Sequence, residues 1–85
     1  MSKPLPFPET NEARKLVAIN LRRLRQAAGY SQEGMANTFG FHRTYVSQIE
    51  RCRINISIDA LWRLAQILKV HPVELLKPVD DTSIG

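Results

Sequence analysis

The side chains of this chain that can do chemistry are mostly cations suited to binding anions. Between Arg14 and Lys69 stand Arg14, Lys15, Arg22, Arg23, Arg25, Arg43, Arg51, Arg53, Arg63 and Lys69, opposed only by Glu33, Glu50 and Asp59. Glu9, Glu12, Glu74, Asp80 and Asp81 lie toward the two ends. The 12 Lys and Arg against 8 Asp and Glu leave a formal charge of +4 and a pI near 9.7. A basic middle with acidic flanks suits a nucleic-acid face, although a solvated helix surface produces the same pattern. Catalysis finds no footing, because no nucleophile, base and orienting group assemble from motifs. Cys52, His42 and His71 lack metal-ligand spacing, and the histidines read as loop and cap residues; no cofactor is expected. Cys52 between Arg51 and Arg53 invites a redox reading, but without a resolving partner an ordinary thiol is the stronger one.

Size narrows the choice further. A chain of 85 residues, 44% hydrophobic, builds one small core and leaves little interior for a substrate cavity. The single cysteine excludes an intrachain disulfide, no apolar run approaches the roughly 18 residues of a membrane span, and no signal-peptide core is present. The expected location is the cytoplasm.

Five helices are expected to position these groups. Pro4, Pro6 and Pro8 make residues 1–11 a flexible, extended arm. From Glu12 to Ala28 the spacing of Val17, Leu21, Leu24 and Ala28 predicts a first amphipathic helix, closed by Gly29. Ser31 caps a second, from Gln32 to about Thr38, with Met35, Ala36 and Phe39 inward and Gly40 at its end. A third runs from Arg43 to about Arg51, polar except for the i, i+3 pair Val46 and Ile49. Ser57 caps a fourth whose Ile58, Leu61, Leu64, Ala65 and Leu68 form an apolar stripe. Pro72 opens a fifth, Val73 to Lys77, which Pro78 stops. The domain is therefore placed at residues 12–77, followed by a flexible tail over 78–85.

Residues 31–51 thus read as two helices joined by a tight glycine-containing turn, the second polar on its outer face. That arrangement lets a helix enter the DNA major groove, which at about 12 Å wide admits one. The segments SQEGMANTFGFHRTYVSQIER and RINISIDALWRLAQILKVHPVELL resemble the Xre family of lambda-repressor-like, Cro/cI-type helix-turn-helix domains. The resemblance runs from Val17 to Leu76 and combines, in order, LRRLRQAAG, Ser31-Gln32, the Gly40 turn, the Ile49-Glu50-Arg51 ending and the helix IDALWRLAQIL. It implies an all-α, compact five-helix domain with helices 2 and 3 as the helix-turn-helix, usually dimeric on DNA and regulating transcription.

Carried over by position, the resemblance puts Arg43, Thr44, Ser47 and Gln48 at base edges. Their chemistry agrees: Arg forks onto guanine, Gln onto adenine, and Thr offers a methyl to thymine, each good bidentate pair discriminating by roughly 1–3 kcal/mol. It further implies phosphate contacts for Gln32, at the start of helix 2, and for Arg53 and Asn55. Tyr45 either reaches a phosphate through its hydroxyl or packs its ring at the rim. Arg25 and Glu50 resemble the family's internal ion pair, a structural role. Gly34 departs from the pattern where a glutamate would complete a capping box with Ser31, and His42 stands where a better N-cap is common. Cys52 and Lys69 stand where glycine often closes a helix, so the backbone there either takes a left-handed non-glycine residue or ends differently.

Leu16, Ile19, Trp62 and Ile67 remain after the core is assigned and are candidates for a subunit interface, Trp62 and Ile67 foremost. The reading is a sequence-specific regulator that binds a double-stranded operator as a homodimer and blocks or recruits RNA polymerase. The run HRTYVSQIER followed by RINISI resembles the controller proteins of restriction-modification systems. A phage-type repressor and an antitoxin are further versions of the same class. The contrasting class, a helical protein-interaction module without DNA, sits poorly with exposed Arg43, Thr44 and Gln48.

Overall fold

The computed structural model describes residues 12–79, folded as α1 (Glu12–Ala27), α2 (Gln32–Thr38), α3 (Tyr45–Glu50), α4 (Ile58–Leu68) and α5 (Val73–Leu76). No strand occurs among the described residues. The arm expected over residues 1–11, and the tail beyond Val79, lie outside them.

Helix α1 is the axis of the fold, packing against α3 and α5, while α2 packs on α3 and α4 on α5. Between them Val17, Leu21, Met35, Ala36, Val46, Ile49, Leu64, Ala65, Leu68 and Leu75 form one buried cluster. Two expectations about this core fail. Ala28 is exposed, one residue past the end of α1 at Ala27. Ile58, assigned to the apolar stripe of α4, is 84% exposed; it stands at the rim of an open groove lined also by Val17, Ile49 and Leu76, which do not close over it.

Asn20 enters the core instead, fully buried on the same face of α1 as Val17 and Leu21. Its Nδ2 donates to the carbonyls of Leu75 (3.2 Å) and Lys77 (2.9 Å), and its Oδ1 accepts from Arg23 Nη2 at 3.2 Å. One side chain therefore satisfies carbonyls at the end of α5, which being so short has few internal bonds to hold it. The expected last residue of that helix, Lys77, is extended (φ −65°, ψ 135°). Pro78 follows it, and a proline ring disfavours helical backbone at the residue before it.

Four helices end with the same hydrogen bond, donated from five residues on. Tyr30 N–H donates to Arg25 O, Phe41 to Ala36 O, Arg53 to Gln48 O and Val70 to Ala65 O, at 2.8 to 3.1 Å. The geometry needs a left-handed residue just before each donor. Gly29 (φ 85°) and Gly40 (φ 76°) supply it without strain, but Cys52 and Lys69, both at φ 58°, supply it with a Cβ in place. Of the two alternatives left open for these positions, the backbone takes the left-handed one.

Candidate nucleic-acid interface

Arg25, on the last turn of α1, is buried and holds the carboxylate of Glu50, the last residue of α3, through two bonds: Nε to Oε2 at 2.7 Å and Nη2 to Oε1 at 2.9 Å. Its Nη1 donates to Tyr30 O at 2.8 Å, and Gln32 Nε2 donates to Glu50 Oε1 at 3.1 Å. The hydrogen bond that Arg25 donates to Glu50 raises the Arg25 pKa against the opposing effect of burial, which keeps the guanidinium charged. Three segments meet at one carboxylate: the end of α1, the start of α2 and the end of α3. A planar fork against a carboxylate fixes angle as well as distance, and so fixes α3 relative to α1.

Ser31 caps α2, its Oγ accepting from Gly34 N–H at 2.8 Å. A Cβ on Gly34 would stand 2.7 Å from that oxygen, so glycine here goes with the cap. The turn that follows is held from a distance. Arg63 of α4 donates through Nη2 to Phe39 O at 2.8 Å and lies over the Phe41 ring, 4.6 Å from its centroid. The Phe41 ring in turn packs on Tyr45, with centroids 4.9 Å apart.

The third helix starts later than the sequence predicts. Tyr45 N–H bonds to His42 O, and His42 Nδ1 lies 3.3 Å from Thr44 N and 3.0 Å from Thr44 Oγ1. The imidazole caps the turn, so Arg43 and Thr44 form a turn leading into α3 rather than its first residues. His71 repeats the device at α5, accepting from Val73 N–H at 3.1 Å. On α3, Val46 and Ile49 are buried while Gln48 is exposed, as is Arg43 in the turn before it. Thr44 and Ser47 are half-buried, and Ser47 Oγ donates to Thr44 O at 2.9 Å, bracing the first turn.

A short helix, a left-handed turn and a second helix pinned by its apolar side, with an Arg and a Gln outward, match a known pattern. Residues 21–75 fit the family model described as Helix-turn-helix. The chain belongs to that family. It is accordingly a DNA-binding transcription regulator and not an enzyme. Its sequence is 43% identical over 74 residues to the HTH-type transcriptional regulator y4dJ of Sinorhizobium fredii, covering 87% of this chain and 96% of that one. The solved structure of the hypothetical transcription factor NHTF from Neisseria superposes with a TM-score of 0.77 at 35% identity, over 98% of this chain and 95% of that one. The restriction-modification controller protein C.AhdI from Aeromonas hydrophila superposes at 0.66 with 39% identity, over 73% and 94%.

In this helix-turn-helix protein the other sequence-derived positions fall as follows. Gln32 is half-buried with its amide turned to Glu50, and Tyr45 is half-buried against Phe41. Burial raises the Tyr45 pKa, offset in part by the nearby charge of Arg63. Arg53 and Asn55 are exposed in the connection between α3 and α4. Trp62 is 57% exposed, whereas Ile67 is half-buried and packed against the core. Among the described residues no group of His, Cys, Asp and Glu could hold a metal ion, and no helix is long and apolar enough to cross a membrane.

The roles of Arg63 and Asn20, and the exposure of Ile58, escape the sequence reading. Asn20 carried a signal, a polar residue inside an apolar stripe, three after Val17 and next to Leu21. Arg63 carried none, since its partners lie 24 and 22 residues away on the turn, at Phe39 and Phe41.

Proposed function

We propose that this helix-turn-helix protein binds an operator in double-stranded DNA as a homodimer, with α3 in the major groove, and regulates transcription by blocking or recruiting RNA polymerase. In this reading Arg43, Thr44, Ser47 and Gln48 face base edges, while Gln32, Tyr45, Arg53 and Asn55 face phosphates. The Arg25–Glu50 pair keeps the two helices in register, and the protein works in the cytoplasm, on the nucleoid when bound. The observation that carries it is the two-sidedness of this region: Val46 and Ile49 of α3 are anchored in the core, while Gln48 on the helix and Arg43 in the turn leading into it are exposed. Side chains of those types on a rigid rod are what base readout requires.

Two-fold pairing gains support from the apolar surface. Ile58 and Trp62 lie one turn apart on α4, and Ile58 borders an apolar groove of about 210 Å³ that Leu61 and Leu76 also line. Exposed apolar side chains in this continuity mark an association surface, with Ile58 a stronger member than Ile67. The likeness to C.AhdI supports a controller role as the particular kind of regulator.

Selection of genomic fragments on the purified protein, followed by footprinting, tests the proposal. A dimer protects two half-sites whose centres lie about one helical turn of DNA apart. A titration at low ionic strength with no duplex affinity would overturn it. A controller protects a site beside restriction and modification genes, and a site elsewhere removes that narrower role.

A further inference from the structure

Most hydrogen bonds on the turn between α2 and α3 are local. Phe41 N–H bonds to Ala36 O, Tyr45 N–H to His42 O, and the His42 ring to Thr44. Such bonds fix the shape of the turn; its position relative to the rest of the domain is set by the packing of Phe39 and Phe41 on the core, with Phe39 edge-on to the Tyr30 ring at 5.5 Å, and by one longer-range hydrogen bond. Among the described residues, the hydrogen bond that ties residues 39–44 to a distant element is the one from Arg63 to Phe39 O. The same guanidinium covers the Phe41 ring, which packs on Tyr45, the first residue of α3. The contact thus runs from α4 through the turn to the start of the recognition element.

We propose that Arg63 is a positioning residue for DNA readout: it clamps the turn to α4 and so sets the angle at which Arg43 and Gln48 meet the bases, without touching the duplex itself. The proposal rests on the DNA-binding reading above. Planarity is essential to the role, because one guanidinium face lies on an aromatic ring while its edge donates to a carbonyl; a lysine ammonium keeps the charge but cannot do both. Arg63 is exposed and α4 is held by Leu64, Ala65 and Leu68 independently of it, so the fold does not depend on the clamp.

The test compares Arg63→Met and Arg63→Lys with the parent protein on two duplexes: the operator recovered by genomic selection and a random sequence of equal length. Arg63→Met is expected to lose about tenfold on the operator and less than about twofold on random DNA, the scale of one charge-assisted contact acting through geometry. Arg63→Lys is expected to lose nearly as much on the operator. The salt dependence of operator binding stays unchanged, whereas a lost phosphate contact lowers its slope by about one. A tyrosine-ring NMR titration adds a readout independent of DNA. The Tyr45 phenol titrates at higher pH in Arg63→Met and returns toward the parent value in Arg63→Lys, as expected if the charge sits beside it in solution. Equal losses on both duplexes with a lower salt slope make Arg63 a direct phosphate contact and overturn the proposal. Unchanged operator affinity in both variants does the same while leaving DNA binding intact. If the parent protein retains no duplex at all, the DNA-binding reading falls, and this one with it. Should Arg63→Met fail to fold, the claim that the fold is independent of the clamp is wrong and the role is structural.

Discussion

Gln32 Nε2 donates to Glu50 Oε1 at 3.1 Å, joining the first residue of α2 to the last residue of α3 through the carboxylate that Arg25 also grips. The amide of Gln32 thus supports the fold, and the proposed function gives the same residue a phosphate contact.

The pairing separates those roles by substitution. Gln32→Ala loses one hydrogen bond and weakens binding to specific and random duplexes alike. Gln32→Glu sets a second carboxylate against Glu50 and costs about 1–3 kcal/mol by urea unfolding, well above the alanine variant. Glu50→Ala strands Arg25, which is 6% exposed, and costs about 3–5 kcal/mol. Replacing both partners, Arg25→Met with Glu50→Leu, recovers much of that loss. Additive effects in this double-mutant cycle would show that the pair is not coupled.

Arg43 is exposed in the turn that leads into α3, free of the bracing bonds that occupy Ser47 and the Thr44 carbonyl. Arg43→Ala is expected to relax sequence preference at one position in each half-site, at a cost of roughly 1–3 kcal/mol on the operator. Parallel selections with parent and variant give the comparison. Equal losses on operator and random duplex would assign Arg43 to the backbone instead.

Cys52 and Lys69 close their helices at φ 58° with side chains that disfavour that region. Lys69→Gly and Cys52→Gly should each stabilise the domain by up to about 1 kcal/mol, the left-handed penalty less the extra chain entropy of glycine. For a domain of this size that raises Tm by roughly 4–8 °C per kcal/mol. Calorimetry decides, and a fall in Tm for both variants would refute the strain.

Tyr45 gives an alkaline limit. Its folded pKa lies above the ordinary 10.0 because burial disfavours the phenolate. A group whose pKa is raised on folding contributes stability that is fully present below its unfolded value and is lost as pH rises through the folded one. Unfolding midpoints should therefore fall above about pH 10, and Tyr45→Phe should flatten that decline. An identical pH profile in the variant would place the alkaline transition elsewhere.

Much of the architecture is local chemistry. The cap bonds of Ser31 to Gly34 and Ser57 to Ala60, and the left-handed stops at Gly29 and Gly40, involve residues a few positions apart. They can therefore be inferred from adjacent letters. The start of α3 was misplaced because a histidine ring took the capping role expected of a shorter side chain.

The amino-acid order determined which stretches are helical, where most of them end and which side of α3 is apolar, because backbone hydrogen bonding and side-chain period act over one or two turns. Tertiary packing alone decided that Asn20 is inside and Ile58 outside, and that Arg63 holds a turn more than 20 residues away. Burial depends on what stands opposite a residue, and a long side chain can choose among many distant acceptors. Neither is fixed until the helices have met.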